Sequence, residues 1–576
     1  MKRSFSAIIL ILYLLFFIGL SLFQGCGPFN SRVRKQTTAQ STMPAAVTNK
    51  PCDQDNVAVK DYFETIFKTK NDKHKLSEVL TKFPKGADLH NHLSGAIRPE
   101  DYVLLGIWEG DCFGPDPSVD NMLQLRSTNA CNTCDSNSKP LMQADTEERQ
   151  QLLRSLSMYQ FNDNKITKIQ AGHDQFFATF GRFGAESGKS QNIGIMLVKL
   201  LQQAQSENVN YVEIMTSFQS AAVNCLADKL RQKYVNNENY IQPSNYADMF
   251  DFLLRIGLKE TVAAAQRDVV FYLDSTKSLL NCDTPSENSV CKVEYDFQAA
   301  VNRNSSLKDK SADLPKIFTQ TALSFLLANT EQEVVGVNLL SGEDLPVSMQ
   351  TFKTQMNFFK FFHQRFPKVN IALHSGEITP CFVGDHNPAL EEHITGSIWA
   401  GAKRLGHVVS FTYLDKVQKA KVAELMQQNN VLAEIMFTSN AQILGVTGDE
   451  HPFAEYLKTY GVPVAFATDD AGVSYADFTS EWIYAVSQYG LTFREAVRMA
   501  RASLQYSFLP GESLWQDFAS FEVADQCANE MLGSQNPSKP CMAFIRKSKK
   551  AERQWDYEAK LSSFMKKYGT SFQKYK

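Results

Sequence analysis

Gly86-Ala87-Asp88-Leu89-His90-Asn91-His92-Leu93 is the stretch on which the fold turns. It reads as a short β-rich run that ends in two histidines two positions apart. Side chains two apart on a strand share a face, so His90 and His92 would project together from its C-terminal end. Working outward, comparable runs recur at Val209–Ser217, Val269–Ser275, Val334–Leu340, Val369–Leu373, Leu405–Phe411, Val431–Phe437 and Val464–Thr468. Helix-like stretches separate them, among them Ile193–Gln205, Tyr246–Gln266, Ser348–Phe366 and Lys416–Gln428. Eight strands alternating with helices imply parallel pairing and, at that count, an α/β chain closed into a (β/α)8 TIM barrel. An open doubly wound sheet is the alternative, weakened because no glycine-rich phosphate fingerprint follows the first run.

The ends of the chain carry other signals. Lys2 and Arg3 precede an apolar run, Ala7–Phe23, followed by Gln24-Gly25-Cys26, which describes an export signal. The Gly25-Cys26 pair is similar to a bacterial lipoprotein signal, in which Cys26 would be lipidated. The expected location is the bacterial cell envelope, as a lipoprotein, or outside the cell. Any membrane contact would run through that N-terminal anchor; a plain secretory signal or an uncleaved anchor is the alternative. The expected organisation is a signal over 1–26, a tether over 27–52, a helical extension over 53–82, the barrel over 83–535 with an insertion at about 107–145, and a helical tail over 536–576. A net charge of -3 lowers the case for a nucleic-acid partner. Of eleven cysteines, ten remain once Cys26 is set aside, and an even number in an exported chain fits disulfides. Cys282 and Cys291 flank a short polar stretch and are expected to close it. Cys112, Cys131 and Cys134 share one segment, where a structural disulfide is expected; half a zinc site or a redox pair is the rival reading of Cys131-Asn132-Thr133-Cys134.

In a barrel of this kind function sits at the C-terminal ends of the strands. Those ends hold His90 and His92, then His374-Ser375-Gly376-Glu377, then Arg404-Leu405-Gly406-His407, then Thr468-Asp469-Asp470. The chain has only ten histidines, and four fall at these termini. Each alone reads as a hydrogen-bonded structural histidine. Three imidazoles and an aspartate converging on one rim read as a zinc set with an open position for water.

With those motifs in hand, the sequence resembles the adenosine deaminase family of metallo-dependent hydrolases, and within it the secreted adenosine deaminase growth factors. The resemblance rests on His90-Asn91-His92-Leu93-Ser94-Gly95, Leu373–Glu377, Arg404–His407, Glu434–Asn440 and Thr468–Asp470, with Tyr211-Val212-Glu213-Ile214 and Ser503–Ser507 extending it. It implies one zinc ion per chain held by His90, His92, His374 and Asp469. Glu377 would protonate the purine ring nitrogen, His407 would orient the attacking hydroxide, and Asp470 would contact that hydroxide and the far side of the purine. Ser94, Gly95, Ser341 and Gly342 would complete the substrate site, with the family's purine-contacting glycine near Ser341-Gly342. The implied reaction is hydrolytic deamination of adenosine or 2′-deoxyadenosine, a small-molecule purine nucleoside, and the implied assembly is a homodimer.

Two departures bear on substrate. Ser94 stands where the family has an acidic residue that contacts the sugar, and Ala471 stands where it has proline. Adenine or an N6-substituted adenosine is therefore an alternative substrate. A two-metal hydrolase is disfavoured because Val337–Asp344 offers no bridging lysine. The cytidine-deaminase signature is absent. A catalytically inactive nucleoside-binding lipoprotein is the reading from a different class, and the presence of His90, His92, His374, Asp469, Glu377, His407 and Asp470 together speaks against it.

Overall fold

Val334-Val335-Gly336-Val337 and its counterparts behave as strands covered on both faces do, since β-branched and aliphatic side chains fit a pleat that helices then bury. In the computed structural model the barrel strands are β1 (Ala87–His92), β2 (Tyr211–Thr216), β3 (Glu294–Asn302), β4 (Val334–Leu340), β5 (Asn370–Ser375), β6 (Arg404–His407), β7 (Leu432–Ile435) and β8 (Val464–Phe466). Neighbours pair in parallel and in chain order. The chain leaving β8 returns to β1: the Asp469 N–H donates to the His90 carbonyl at 2.9 Å, and the His92 N–H donates to the Asp469 carbonyl at 3.1 Å. This bridge closes the sheet, so the fold is a (β/α)8 TIM barrel. It also sets Asp469 beside both histidines through the backbone alone.

The structure describes residues 73–573 apart from 129–132, 162–168, 235–236, 238, 283–287, 305–309 and 517–520. All of them belong to one unit, Asn56–Lys576. The expected export signal with Cys26, the tether and most of the 53–82 extension lie outside the described residues.

The third strand is a correction. Val269–Ser275 is not a strand; it lies inside the helix Leu258–Leu280. There Val269, Tyr272, Thr276 and Leu280 are buried while Val270, Phe271 and Leu279 are exposed, which is helical spacing. A local run of β-branched and aromatic residues gave way to the longer period. The true strand, β3, contains Glu294, Asp296, Gln298 and Asn302 and so does not read as apolar. Its polar side chains have work inside the barrel: Asp296 accepts from the Tyr211 hydroxyl at 2.9 Å, and Gln298 bonds to three neighbours described below. The sixth strand also ends earlier than Phe411, because His407 and Val408 take left-handed φ values of 68° and 46°, which no strand continues through.

Between β1 and β2, Cys112–Pro115, Leu123–Arg126 and Lys139–Pro140 form a small antiparallel sheet. Cys112 bonds to Cys134 across it, so Cys134 is not half of a zinc site. Cys282 and Cys291 close their loop as expected, and Cys527 joins Cys541. Cys225 and Cys381 are free and exposed, so the even count does not mean complete pairing. The C-terminal helix Lys549–Gln573 buries Trp555, Tyr557, Leu561 and Phe564 in the core rather than lying free.

Candidate metal centre

His90 and His92 stand at the end of β1, His374 at the end of β5, and Asp469 just past β8. His90 Nε2 and His92 Nε2 each lie 3.1 Å from His374 Nε2. Asp469 Oδ1 is 3.0 Å from His92 Nε2 and 3.4 Å from His90 Nε2. Four donor atoms of the kinds that bind zinc therefore share one small volume. Asp469 Oδ1 is buried and accepts no well-formed hydrogen bond despite these close nitrogens. Close contact without hydrogen-bond geometry is what a site shaped around a cation leaves when only the protein is considered. The residues fit a metal ion.

Each imidazole is held from behind. His90 Nδ1 lies 2.8 Å from Glu434 Oε2, and the other oxygen of Glu434 pairs with Arg404 Nε at 2.8 Å. Arg404 pairs further with Glu213 at 2.6 Å and lies over the Phe508 ring. His374 Nδ1 lies 2.9 Å from Asn338 Oδ1. Ser439 Oγ donates to Asp469 Oδ2 at 2.6 Å. Such outer contacts fix ring orientation and leave the opposite nitrogen for the ion. Burial works against a proton on His90, but Asp469 and Glu434 outweigh it and push its pKa up to about 10. An incoming ion would displace that proton.

The other expected residues surround this cluster. Glu377 follows β5 and is buried, with Oε1 unpartnered by hydrogen bonds and 3.5 Å from His407 Nδ1. Burial, then the charges of Asp469 and Glu343, hold its pKa well above the carboxylate range. Asp470 is raised for the same two reasons, burial and Asp469, and its Oδ1 is also buried without a partner. Gly95 is required there: a Cβ on it would stand 1.5 Å from Asp470 Oδ1. Ser94, half-buried, lies next to it in the short helix Leu93–Ala96, and its carbonyl accepts from the Tyr102 hydroxyl. Ser341 and Gly342 follow β4; Asn304 Nδ2 donates to the Gly342 carbonyl at 2.7 Å and to Ser341 Oγ at 3.3 Å. Ser341, His407 and Asp469 all carry positive φ (88°, 68° and 59°), and backbone strain of this kind gathers at functional sites.

One of the ring nitrogens of His407 lies within 4.8 Å of ligand atoms of His90, His374 and Asp469, so proximity alone would count it as a ligand in place of His92. His92 Nε2 has the closer contacts, 3.0 Å to Asp469 Oδ1 and 3.1 Å to His374 Nε2, while His407 Nδ1 faces Asn440 and its Nε2 is buried without a partner.

Sequence reasoning gave no role to Asn338, Gln298, Glu343, Ser439, Asn440 or His451. A signal existed for the first: an asparagine inside the apolar run Val334–Leu340 is an unusual thing to bury without purpose. The others sit in turns or in polar stretches, where polar residues are ordinary.

The family described as adenosine deaminase matches residues 311–515. An adenosine deaminase of Lactococcus lactis is 28% identical over 153 residues, 26% of this chain and 38% of that protein. An aminodeoxyfutalosine deaminase of Streptomyces coelicolor is 31% identical over 115 residues, 19% of this chain and 28% of that protein. The chain thus spans well under half the length of these relatives. Among solved structures, an N6-mAMP deaminase of Arabidopsis is 17% identical with TM-score 0.46, covering 75% of this chain and 96% of that one. An adenine deaminase of Arthrobacter aurescens is 16% identical with TM-score 0.44, covering 74% and 94%.

Proposed function

We propose, from the match to the adenosine deaminase family over residues 311–515 and the geometry of the rim, that the chain is a deaminase of that family and hydrolyses the exocyclic amine of adenosine or 2′-deoxyadenosine. Water adds to the amine-bearing carbon, the carbon–nitrogen bond breaks, and ammonia leaves with a proton taken from the water. The observation that carries the proposal is the meeting of two things at one rim. One is the His90, His92, His374 and Asp469 cluster, whose donor atoms lie 3.0–3.4 Å apart; the other is Glu377, a buried carboxyl group whose pKa burial raises.

His90, His92, His374 and Asp469 would hold a single divalent ion, and three imidazoles with one carboxylate suit zinc. When bound, such an ion supplies the Lewis acidity that brings the pKa of water from 15.7 to about 7. Glu377 gives its proton to a purine ring nitrogen, which draws electron density from the carbon under attack. Its burial is what makes a carboxyl group an acid at neutral pH. His407 orients the attacking oxygen by hydrogen bonding. Asp470, admitted by the absent side chain of Gly95, contacts the attacking oxygen and the far side of the purine. Ser94, Ser341 and Gly342 line the nucleoside. A serine in place of an acid at position 94 weakens the hold on a sugar hydroxyl, so adenine and N6-substituted adenosines are the specific rivals.

The test is a panel of adenosine, 2′-deoxyadenosine, adenine, AMP and N6-methyladenosine, scored for ammonia or methylamine release by zinc-loaded protein. Fastest turnover of adenosine or 2′-deoxyadenosine supports the proposal, and fastest release of methylamine from N6-methyladenosine moves it to the N6-substituted nucleosides. Fastest turnover of adenine moves it to the free base, and silence across the panel overturns it. Export to the cell envelope, read from residues 1–26, is part of the same proposal and is checked by fractionating cells and locating the chain.

A further inference from the structure

Two side-chain relays of opposite polarity end on imidazoles of the site. In the first, Gln298 Nε2 donates to the Leu89 carbonyl and to Glu213, both at 3.0 Å. Its Oε1 therefore accepts from Asn338 Nδ2 at 3.1 Å, which leaves Asn338 Oδ1 facing His374 Nδ1 at 2.9 Å. His374 thus carries its proton on Nδ1, and Nε2 keeps a free lone pair. In the second, the backbone N–H of Phe453 donates to His451 Nδ1 at 3.2 Å. A backbone N–H can only donate, so the proton of neutral His451 is on Nε2, 3.0 Å from Asn440 Oδ1. Asn440 Nδ2 in turn donates to His407 Nδ1 at 2.9 Å. His407 then has its proton on Nε2, an atom that is buried and has no hydrogen-bond partner in the protein.

His451 and Asn440 are both buried. Desolvation, aided by His407, lowers the His451 pKa to about 3, so it stays neutral and the direction of the relay is fixed. A protonated ring nitrogen cannot ligate a metal but can donate a hydrogen bond.

We propose that His451 is a positioning residue that, through Asn440, locks His407 as an Nε2–H donor and so keeps it out of the metal's ligand set. The two relays sort neighbouring imidazoles into ligand and donor, Gln298 and Asn338 making the first, His451 and Asn440 the second. What His407 does with its proton rests on the deaminase reading; the position of the proton does not, because it belongs to the protein alone.

The experiment is 15N spectroscopy of the histidine rings in metal-free, full-length protein, with His407 identified by the signals missing in His407→Gln. The expected pattern is Nε2 protonated and Nδ1 bare. In His451→Phe the Asn440 amide is free to turn and offer its oxygen, so the pattern inverts or mixes and kcat falls roughly tenfold or more with KM little changed. His451→Gln, whose amide N–H can replace Nε2–H, retains the ring pattern and most of kcat. A wild-type His407 protonated on Nδ1 overturns the inference, as does a wild-type pattern in His451→Phe. Should the phenylalanine variant fail to fold, the wild-type spectrum decides alone. The expected pattern in a protein that releases amine from no purine would overturn the deaminase reading and leave the relay standing.

Discussion

Replacing Glu434 by glutamine exchanges one oxygen for an NH2 group at the point where the metal centre meets the barrel's buried charges. Glu434 Oε2 lies 2.8 Å from His90 Nδ1, and Oε1 lies 2.8 Å from Arg404 Nε. Both contacts come from donors, and all three residues are buried. A glutamine has one oxygen for two donors, so its amide N–H2 must face either the imidazole or the guanidinium. Arg404 keeps Glu213 at 2.6 Å, which limits the loss, yet breaking a buried pair typically costs 3–5 kcal/mol, and about 3 kcal/mol is expected here. The metal side is separate. Loss of the contact that orients a ligating histidine lowers affinity by about 10–100-fold, equivalent to roughly 1.4–2.7 kcal/mol. Urea unfolding of metal-free protein, followed by circular dichroism, reads the first quantity, and chelator competition for zinc reads the second. Wild-type zinc affinity in Glu434→Gln would refute the claim that Glu434 orients a ligand, whatever happened to stability.

Other expectations concern the acid, the close approach at Gly95 and a buried carboxylate. As the proposed acid, Glu377 acts in its protonated form, and with its raised pKa kcat/KM should fall as pH rises through that value; in Glu377→Gln activity drops at least 100-fold and the alkaline limb disappears from the pH–rate profile. Gly95→Ala puts a methyl group on the Asp470 carboxylate, so kcat/KM should fall by about 100-fold or more while zinc content, measured by elemental analysis, stays near wild type. Glu343 is buried, which opposes ionisation, but His393 at 2.7 Å and Arg303 outweigh this and lower its pKa to about 2. A depressed carboxylate stabilises the fold above its ordinary pKa and loses that contribution as pH falls toward the folded value. The unfolding free-energy gap between wild type and Glu343→Gln should therefore be full at pH 6 and shrink between about pH 4.5 and 2, as urea titrations at several pH values would show.

The sequence disclosed the barrel because most of its strands are β-branched runs buried on both faces, a pattern that survives without any alignment. It hid β3, because that strand spends Asp296 and Gln298 on polar contacts inside the barrel and looks like a loop. The residues that meet at the candidate site were legible for a simple reason: histidine pairs and Asp469-Asp470 at strand ends have few structural uses. Their supports were not. Asn338, Gln298, Asn440 and His451 act through three-dimensional neighbours 11 to 209 positions away in the chain. No spacing rule announces such partners. The pairing of Cys134 with Cys112 rather than a nearer cysteine was equally beyond reach, since spacing fixes which bonds are feasible and not which form.

Elemental analysis of purified, dialysed protein tests the central claim most directly. One zinc ion per chain in the wild type, falling to a small fraction in His92→Ala and in Asp469→Ala while His407→Gln keeps its ion, is the result this account requires. Two ions per chain, or full occupancy after loss of Asp469, would contradict it.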